Sequence, residues 1–191
     1  MDIKAMFQSV GINRLAADNH MHSTINHHVN GLNYLCLMRS SELTVKIYYI
    51  PEEKNIHYGH LVNPHNHRYE FDSEVISGRV VHSRFKKVSG ARMIEYMYDF
   101  KTAQTAPCGA CDLIRIDEEN HFPGGKYFVD TSEIHSIKTF GPTVIYLTQY
   151  ADSNDDSRLY IPIESKIVHG NSKIMTIDEY ENIAREVLKI I

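Results

Sequence analysis

The sequence has no tryptophan and only three cysteines among its 191 residues. So few thiols, and an odd number of them, make no disulfide framework, which leaves the core to packing and hydrogen bonds. Positive charge is in short supply too: 20 Lys and Arg stand against 24 Asp and Glu, for a formal net charge of -4. The basic residues are dispersed, which argues against a nucleic-acid partner. No stretch is apolar for the length that a bilayer span requires. The start, Met1-Asp2-Ile3-Lys4-Ala5-Met6-Phe7, lacks the apolar run of a secretion signal. A soluble, cytoplasmic protein without a membrane partner is expected. P-loop and dinucleotide patterns are absent as well, and Gly124-Gly125 reads as a turn.

What is present is enough for one domain over 1–191, since 42% of residues are hydrophobic and 10% aromatic. Residues 1–30 are polar, with weak helical periodicity through Ile3, Met6, Phe7 and Val10, and are expected to form short helices. Residues 31–165 form the predicted sheet. Leu35-Cys36-Leu37-Met38 and Leu43–Ile50 are apolar or alternating runs around Ser40-Ser41-Glu42, which signals a hairpin, and Pro51–Asn55 reads as a loop. Further strands are expected near 67–76, 79–86, 91–100, 112–117, 126–130 and 143–149. Gly78, Ser89-Gly90, Pro107-Cys108-Gly109 and Pro123-Gly124-Gly125 separate them. Many short strands without crossover helices indicate an all-β sandwich or barrel. Ala151–Ser157 reads as an exposed acidic loop. Residues 176–191 carry the clearest local signal. Thr176-Ile177-Asp178-Glu179 is a capping box, and Ile177, Tyr180, Ile183, Ala184, Val187, Leu188 and Ile191 trace one apolar stripe.

Twelve histidines are the unusual feature of the composition. His20, His22, His27 and His28 are poorly spaced for chelation on a helix and read as solvated or capping groups. His65 and His67 differ. On an extended strand, residues two apart project to the same side, about 7 Å apart along the backbone, so both imidazoles can close on one ion. His135 follows a polar turn and opens a new strand, with enough chain between to return beside them. His82 sits on the strand after Gly78. It reads either as a proton-handling or supporting group beside the metal, or as a buried core histidine. Tyr69 shares the inward parity, as a phenol donor near the metal or as an aromatic wall. Arg84 shares the face of His82 and suits a substrate carboxylate, and Tyr127 is a second wall residue. Cys108-Gly109-Ala110-Cys111 reads as a hairpin turn with two incidental thiols, because a zinc site would need two more ligands.

His65-x-His67, Gly78 eleven residues later, then Pro123-x-Gly125 and His135, together resemble the two-part motif of the cupin superfamily over roughly residues 58–149. The resemblance implies a double-stranded β-helix barrel holding a divalent metal, commonly Fe(II), on His65, His67 and His135, and it tilts the expectation towards a homodimer. In the family, a Glu often follows the second His by four or five residues. Here those positions are Phe71 and Asp72, and Glu70 and Glu74 have outward parity. Two ligand sets stay open: three histidines alone, similar to the thiol dioxygenase branch, or the same three with Asp72 turned in by a bulge. Implied functions are a non-haem Fe(II) dioxygenase acting on a small chelating acid or thiol, a metal-dependent isomerase, epimerase or lyase, or a non-catalytic small-molecule binder.

Overall fold

A computed structural model describes residues 3–51, 62–99, 101–102, 104–154, 156–164 and 172–191. Beyond Pro51, the loop expected over 51–55 lies outside the described residues, as do positions 58–61 of the motif region. The chain is mainly β. Helices α1 (Ile3–Val10) and α2 (Ile12–Asn19) lead into a 3-10 turn at His20–His22. The strands are β1 (Thr24–Ile25), β2 (Asn33–Arg39), β3 (Leu43–Ile50), β4 (Phe71–Asp99), β5 (Gln104–His121), β6 (Lys126–Val129), β7 (Ile134–Tyr150), β8 (Asp156–Pro162) and β9 (Lys173–Ile174). Helix α3 (Ile177–Ile190) closes the chain. Their pairings are all antiparallel, in the order β5-β4-β7-β3-β2-β1-β9, with β6 and β8 also on β4.

The continuous apolar runs in β2 and β3 arise because that part of the sheet is buried on both faces. Leu35, Val45, Ile47 and Val144 point to one side, where α1, α2 and α3 cover them with Phe7, Leu15, Ala184 and Val187. The opposite parity sends Tyr34, Cys36, Tyr48 and Ile145 into a second core, shared with Phe71, Val75, Val80 and Tyr127. Tyr180 ties helix to sheet, its hydroxyl donating to the Cys36 carbonyl at 2.8 Å.

The capping box at α3 is present as expected. Glu179 N donates to Thr176 Oγ1 at 3.2 Å, and Thr176 N donates to Glu179 Oε2 at 2.9 Å. Removing that oxygen with Thr176→Ala leaves a helix-start amide without its acceptor. The expected loss is about 1 kcal/mol, read as a fall in melting temperature of roughly 2–4 °C by thermal denaturation followed by circular dichroism.

Several expected breaks do not reverse the chain. The three strands expected between 67 and 100 are one strand, β4, and its first residue is Phe71 rather than His67. Gly78 bends the strand: pairing with β7 shifts register between Val75 and Ser77 and again across Gly78, between Ser77 and Arg79, and the Gly78 φ is 79°. Ser89-Gly90 falls in a bulge, between Val88 and Met93 in the pairing with β5. Pro107-Cys108-Gly109 lies inside β5, not in a turn, and Tyr96 of β4 pairs with Pro107. Proline is tolerated there because β5 is an edge strand, where no neighbour requires its amide. Cys108 and Cys111 are therefore strand residues, with Cys108 Sγ 3.2 Å from Arg158 Nη1 and Cys111 buried. The expected acidic loop ends early, as β8 begins at Asp156.

The segment before β4 is held by backbone bonds on both sides. His65 and His135 exchange amide hydrogen bonds at 2.9 Å, while Tyr160 N donates to the Pro64 carbonyl and Asn66 N to the Arg158 carbonyl. Asn66 adds two side-chain bonds, accepting from Arg158 N and donating to the Thr131 carbonyl. Residues 62–66 thus bridge β7 and β8 and close the sheet over the second core, which places His65 and His67 opposite the start of β7.

Candidate metal centre

One ring nitrogen from each of His65, His67 and His135 lies within 4.8 Å of the other two. His67 Nε2 and His135 Nε2 are 2.9 Å apart. Two cis ligands at right angles, with metal–nitrogen bonds of about 2.1 Å, would sit about 3.0 Å apart, so the donor set fits an octahedral ion bound on one face. His65 Nδ1 lies 2.7 Å from the Asn63 carbonyl, which can only accept, so Nδ1 carries the proton and Nε2 is left with its lone pair. Burial is the main cause that pulls all three imidazoles below their ordinary pKa, with neighbouring imidazoles adding to it at His67 and His135. They are neutral at pH 7, the form that binds metals.

These histidines face a cavity of about 30 Å³ in the second core, walled by Tyr48, Tyr69, Phe71, Tyr127 and Leu147. Among the described residues, no Asp or Glu lines the wall. Tyr69, which has the inward parity, and Tyr127 both line this wall, and burial pushes each phenol up to about 12. Phe71 is buried, with its ring 4.9 Å from that of His67. Asp72 does not turn in. It is exposed on the outer face and accepts from the Tyr150 hydroxyl at 2.5 Å, because β4 runs without a bulge there and alternation carries it outward. The four-ligand set with Asp72 is therefore excluded.

His82 is placed as a supporting group, one of its expected alternatives, rather than as a catalytic one, and Arg84 needs correction. His82 is fully buried behind His135 rather than on the cavity wall, with Nε2 3.0 Å from His135 Nδ1 and 3.2 Å from Glu133 Oε1. The cross-strand register accounts for this: Arg84, not His82, is opposite His135, so His82 meets it diagonally from deeper in the sheet. A metal-binding imidazole needs a partner for its second nitrogen, and His82 is that partner for His135. Arg84 is not available to a substrate, being paired with Glu133 at 3.0 Å, Asp117 at 2.6 Å and Glu119 at 3.2 Å.

Two cavity residues escape sequence reasoning. Lys46 reaches in from β3, only 3% exposed, and donates to Gln149 Oε1 at 2.6 Å and to the Tyr69 hydroxyl at 3.5 Å. Its ammonium lies 5.0–5.4 Å from the ring centroids of Tyr34, Tyr48 and Tyr69. Among the described residues no carboxylate forms an ion pair with it, and burial brings its pKa down to about 7. A lone lysine inside the apolar run Leu43–Ile50 was the available signal. His28 is the other: exposed as expected in the turn after β1, it also lines the cavity, with its ring 6.1 Å from that of His65. Nothing in the local spacing foretells that contact.

Neither a family model nor a curated protein sequence matches the chain. Solved structures give distant matches. A cupin superfamily protein of Desulfitobacterium hafniense is 12% identical, with a TM-score of 0.41 over 67% of this chain and 84% of that one. An RmlC-like cupin of Shewanella frigidimarina is 15% identical, with a TM-score of 0.39 over 69% and 86%. HEPD of Streptomyces albus, solved with 2-hydroxyethylphosphonate and Fe(II), is 11% identical, with a TM-score of 0.42 over 69% of this chain and 24% of that one. Likeness this distant says nothing about activity.

Proposed function

We propose that this chain is a cupin-type, non-haem Fe(II) oxygenase of the dioxygenase kind, acting on a small, anionic, chelating substrate. The observation that carries the reading is the convergence of His65, His67 and His135, all neutral, on a cavity to which no described residue contributes a carboxylate. Fe(II) at this face would supply the one-electron chemistry with O₂ that the organic side chains lack. Three neutral ligands leave the ion its full charge, which suits a substrate that binds as a chelating anion.

The protein's own groups fit that substrate. The Lys46 ammonium is the cavity's cation, buried against neutral partners, and an anion entering the cavity would give it a counter-charge. Tyr69, hydrogen-bonded to Lys46, can donate its phenol proton to a bound oxygen atom. Tyr48, Phe71, Tyr127 and Leu147 keep water out and confine the ligand to a few heavy atoms.

The test is oxygen uptake by protein reconstituted with Fe(II) under anaerobic conditions, then offered a panel of small mercapto- and hydroxy-carboxylates. Uptake in step with substrate loss is expected. Turnover without uptake would select an isomerase or lyase, and ligand binding without turnover a sensor. For the acids that turn over, Lys46→Met should raise KM by about 10–100-fold, the worth of one charge-assisted hydrogen bond. The wild-type KM should also rise as pH climbs through about 7, where free Lys46 loses its proton, and the variant should lack that limb.

A further inference from the structure

Behind the three-histidine face, the same surface of the sheet carries a second cluster that the proposed function leaves unused. His82 of β4 is directly opposite Glu119 of β5, and Val80, two residues before His82, is opposite His121. Alternation therefore puts His82, Glu119 and His121 on one face of the β4/β5 ladder. One ligand atom from each lies within 4.8 Å of the other two.

Four buried side-chain nitrogen and oxygen atoms have no hydrogen-bond partner among the described residues, and three of them are here: His82 Nδ1, His121 Nε2 and Glu133 Oε1. His82 is 0% exposed and the side chain of His121 only 11%. His121 Nε2 is 3.4 Å from Glu119 Oε2 without making a hydrogen bond to it. Buried polar atoms are nearly always satisfied, so two orphaned imidazole nitrogens beside a carboxylate call for a common partner. Charge points the same way. Asp117, Glu119 and Glu133 share one guanidinium, Arg84, which leaves two formal negative charges beside imidazoles. Burial, the largest influence on His121, lowers its pKa and keeps it a lone-pair donor.

We propose that His82, Glu119 and His121 form a second divalent-metal site, of the Zn(II) type, next to the three-histidine centre. Two imidazoles and one carboxylate are a common zinc donor set that leaves a fourth position for water. An ion on His82 Nδ1 puts the His82 proton on Nε2, where Glu133 Oε1 lies 3.2 Å away as its acceptor. That makes the carboxylate–histidine–metal arrangement typical of ligand support. Glu133 also has a carboxylate oxygen within 4.8 Å of a His135 ring nitrogen, so it lies between the two sites. The assignment is made with the first site empty: an ion on His135 Nε2 puts a proton on His135 Nδ1, which would face the His82 Nε2 proton across 3.0 Å, so filling one site opposes filling the other.

Zinc stoichiometry in the His65→Ala/His67→Ala background tests it, because that background has lost the first site. Equilibrium dialysis against Zn(II), with metal quantified by mass spectrometry, should find one equivalent. Adding His121→Ala or Glu119→Gln should weaken that binding by about 100-fold or more. The Glu119 side chain is 46% exposed, so Glu119→Gln leaves the core untouched even if His121→Ala fails to fold. The absence of zinc from the double variant would overturn the site, as would an equivalent that either added substitution leaves in place.

Discussion

His135→Ala is expected to cost the protein one equivalent of bound transition metal relative to wild type, measured after Fe(II) reconstitution and desalting. His135 supplies one of only three donors, and its Nε2 is 2.9 Å from that of His67. A face cut to two imidazoles keeps too few bonds to hold the ion through desalting, and a loss of at least about 100-fold in affinity follows, since disturbing even a supporting partner costs 10–100-fold. His65→Ala should do the same. Stability separates loss of metal from loss of fold. His135 is 3% exposed, so truncation opens a cavity and costs an estimated 2–3 kcal/mol. His135→Gln keeps most of the volume, and should retain the fold while losing the metal. If His135→Ala keeps the wild-type metal content, the β7 half of the centre is wrong. If wild-type protein takes up no stoichiometric metal at all, the centre itself is wrong.

The second large effect is expected at Gly78. Its φ of 79° is a conformation that a residue with a Cβ adopts at a cost of about 1–2 kcal/mol. A Cβ there would also sit 2.6 Å from the Pro142 carbonyl oxygen and 2.9 Å from Thr143 Cα, in addition to striking Thr143 Oγ1. Those obstacles are mostly backbone of the paired strand, which cannot swing aside, and overpacking of this kind costs about 1–3 kcal/mol. Gly78→Ala should therefore lose about 3 kcal/mol, seen as a melting temperature lower by roughly 10 °C in a thermal scan. The bend at Gly78 lets β4 pair with both halves of β7, so the damage should reach the metal centre through His135. Gly124→Ala is the contrast: φ is 87° but nothing lies within 4 Å of the added carbon, so only the conformational cost applies. A Gly78→Ala protein as stable as Gly124→Ala would refute the steric argument.

Much of this molecule is legible along the chain because its signals are local. The capping box at Thr176, the stripe from Ile177 to Ile191 and the hairpin of β2 and β3 each depend on neighbours a few residues away. Parity is local too. It places Tyr69 and Phe71 on the cavity wall and Asp72 outside, even though His65 and His67 precede the regular strand. Turn signals were less reliable. Gly78, Ser89-Gly90 and Pro107 all read as reversals, yet they bend, bulge or edge two long strands, because a glycine or proline shows that the backbone departs from regularity without showing whether it turns back.

The sequence by itself determined a mainly antiparallel β chain with helices at its ends, and offered His65, His67 and His135 as a set with Asp72 still open as a fourth ligand. Both follow from periodicity and residue identity, which the unfolded chain already carries. Only the tertiary structure decided which residues complete the site. Cross-strand register put His82 behind His135 and beside His121, tied Arg84 to Glu133, Asp117 and Glu119, and brought Lys46 from β3 into a cavity whose histidines lie on other segments. Register is set by how bends, bulges and core packing align strands far apart in sequence. Pairing of β5 with β4 is likewise what brings Glu119 and His121 to His82.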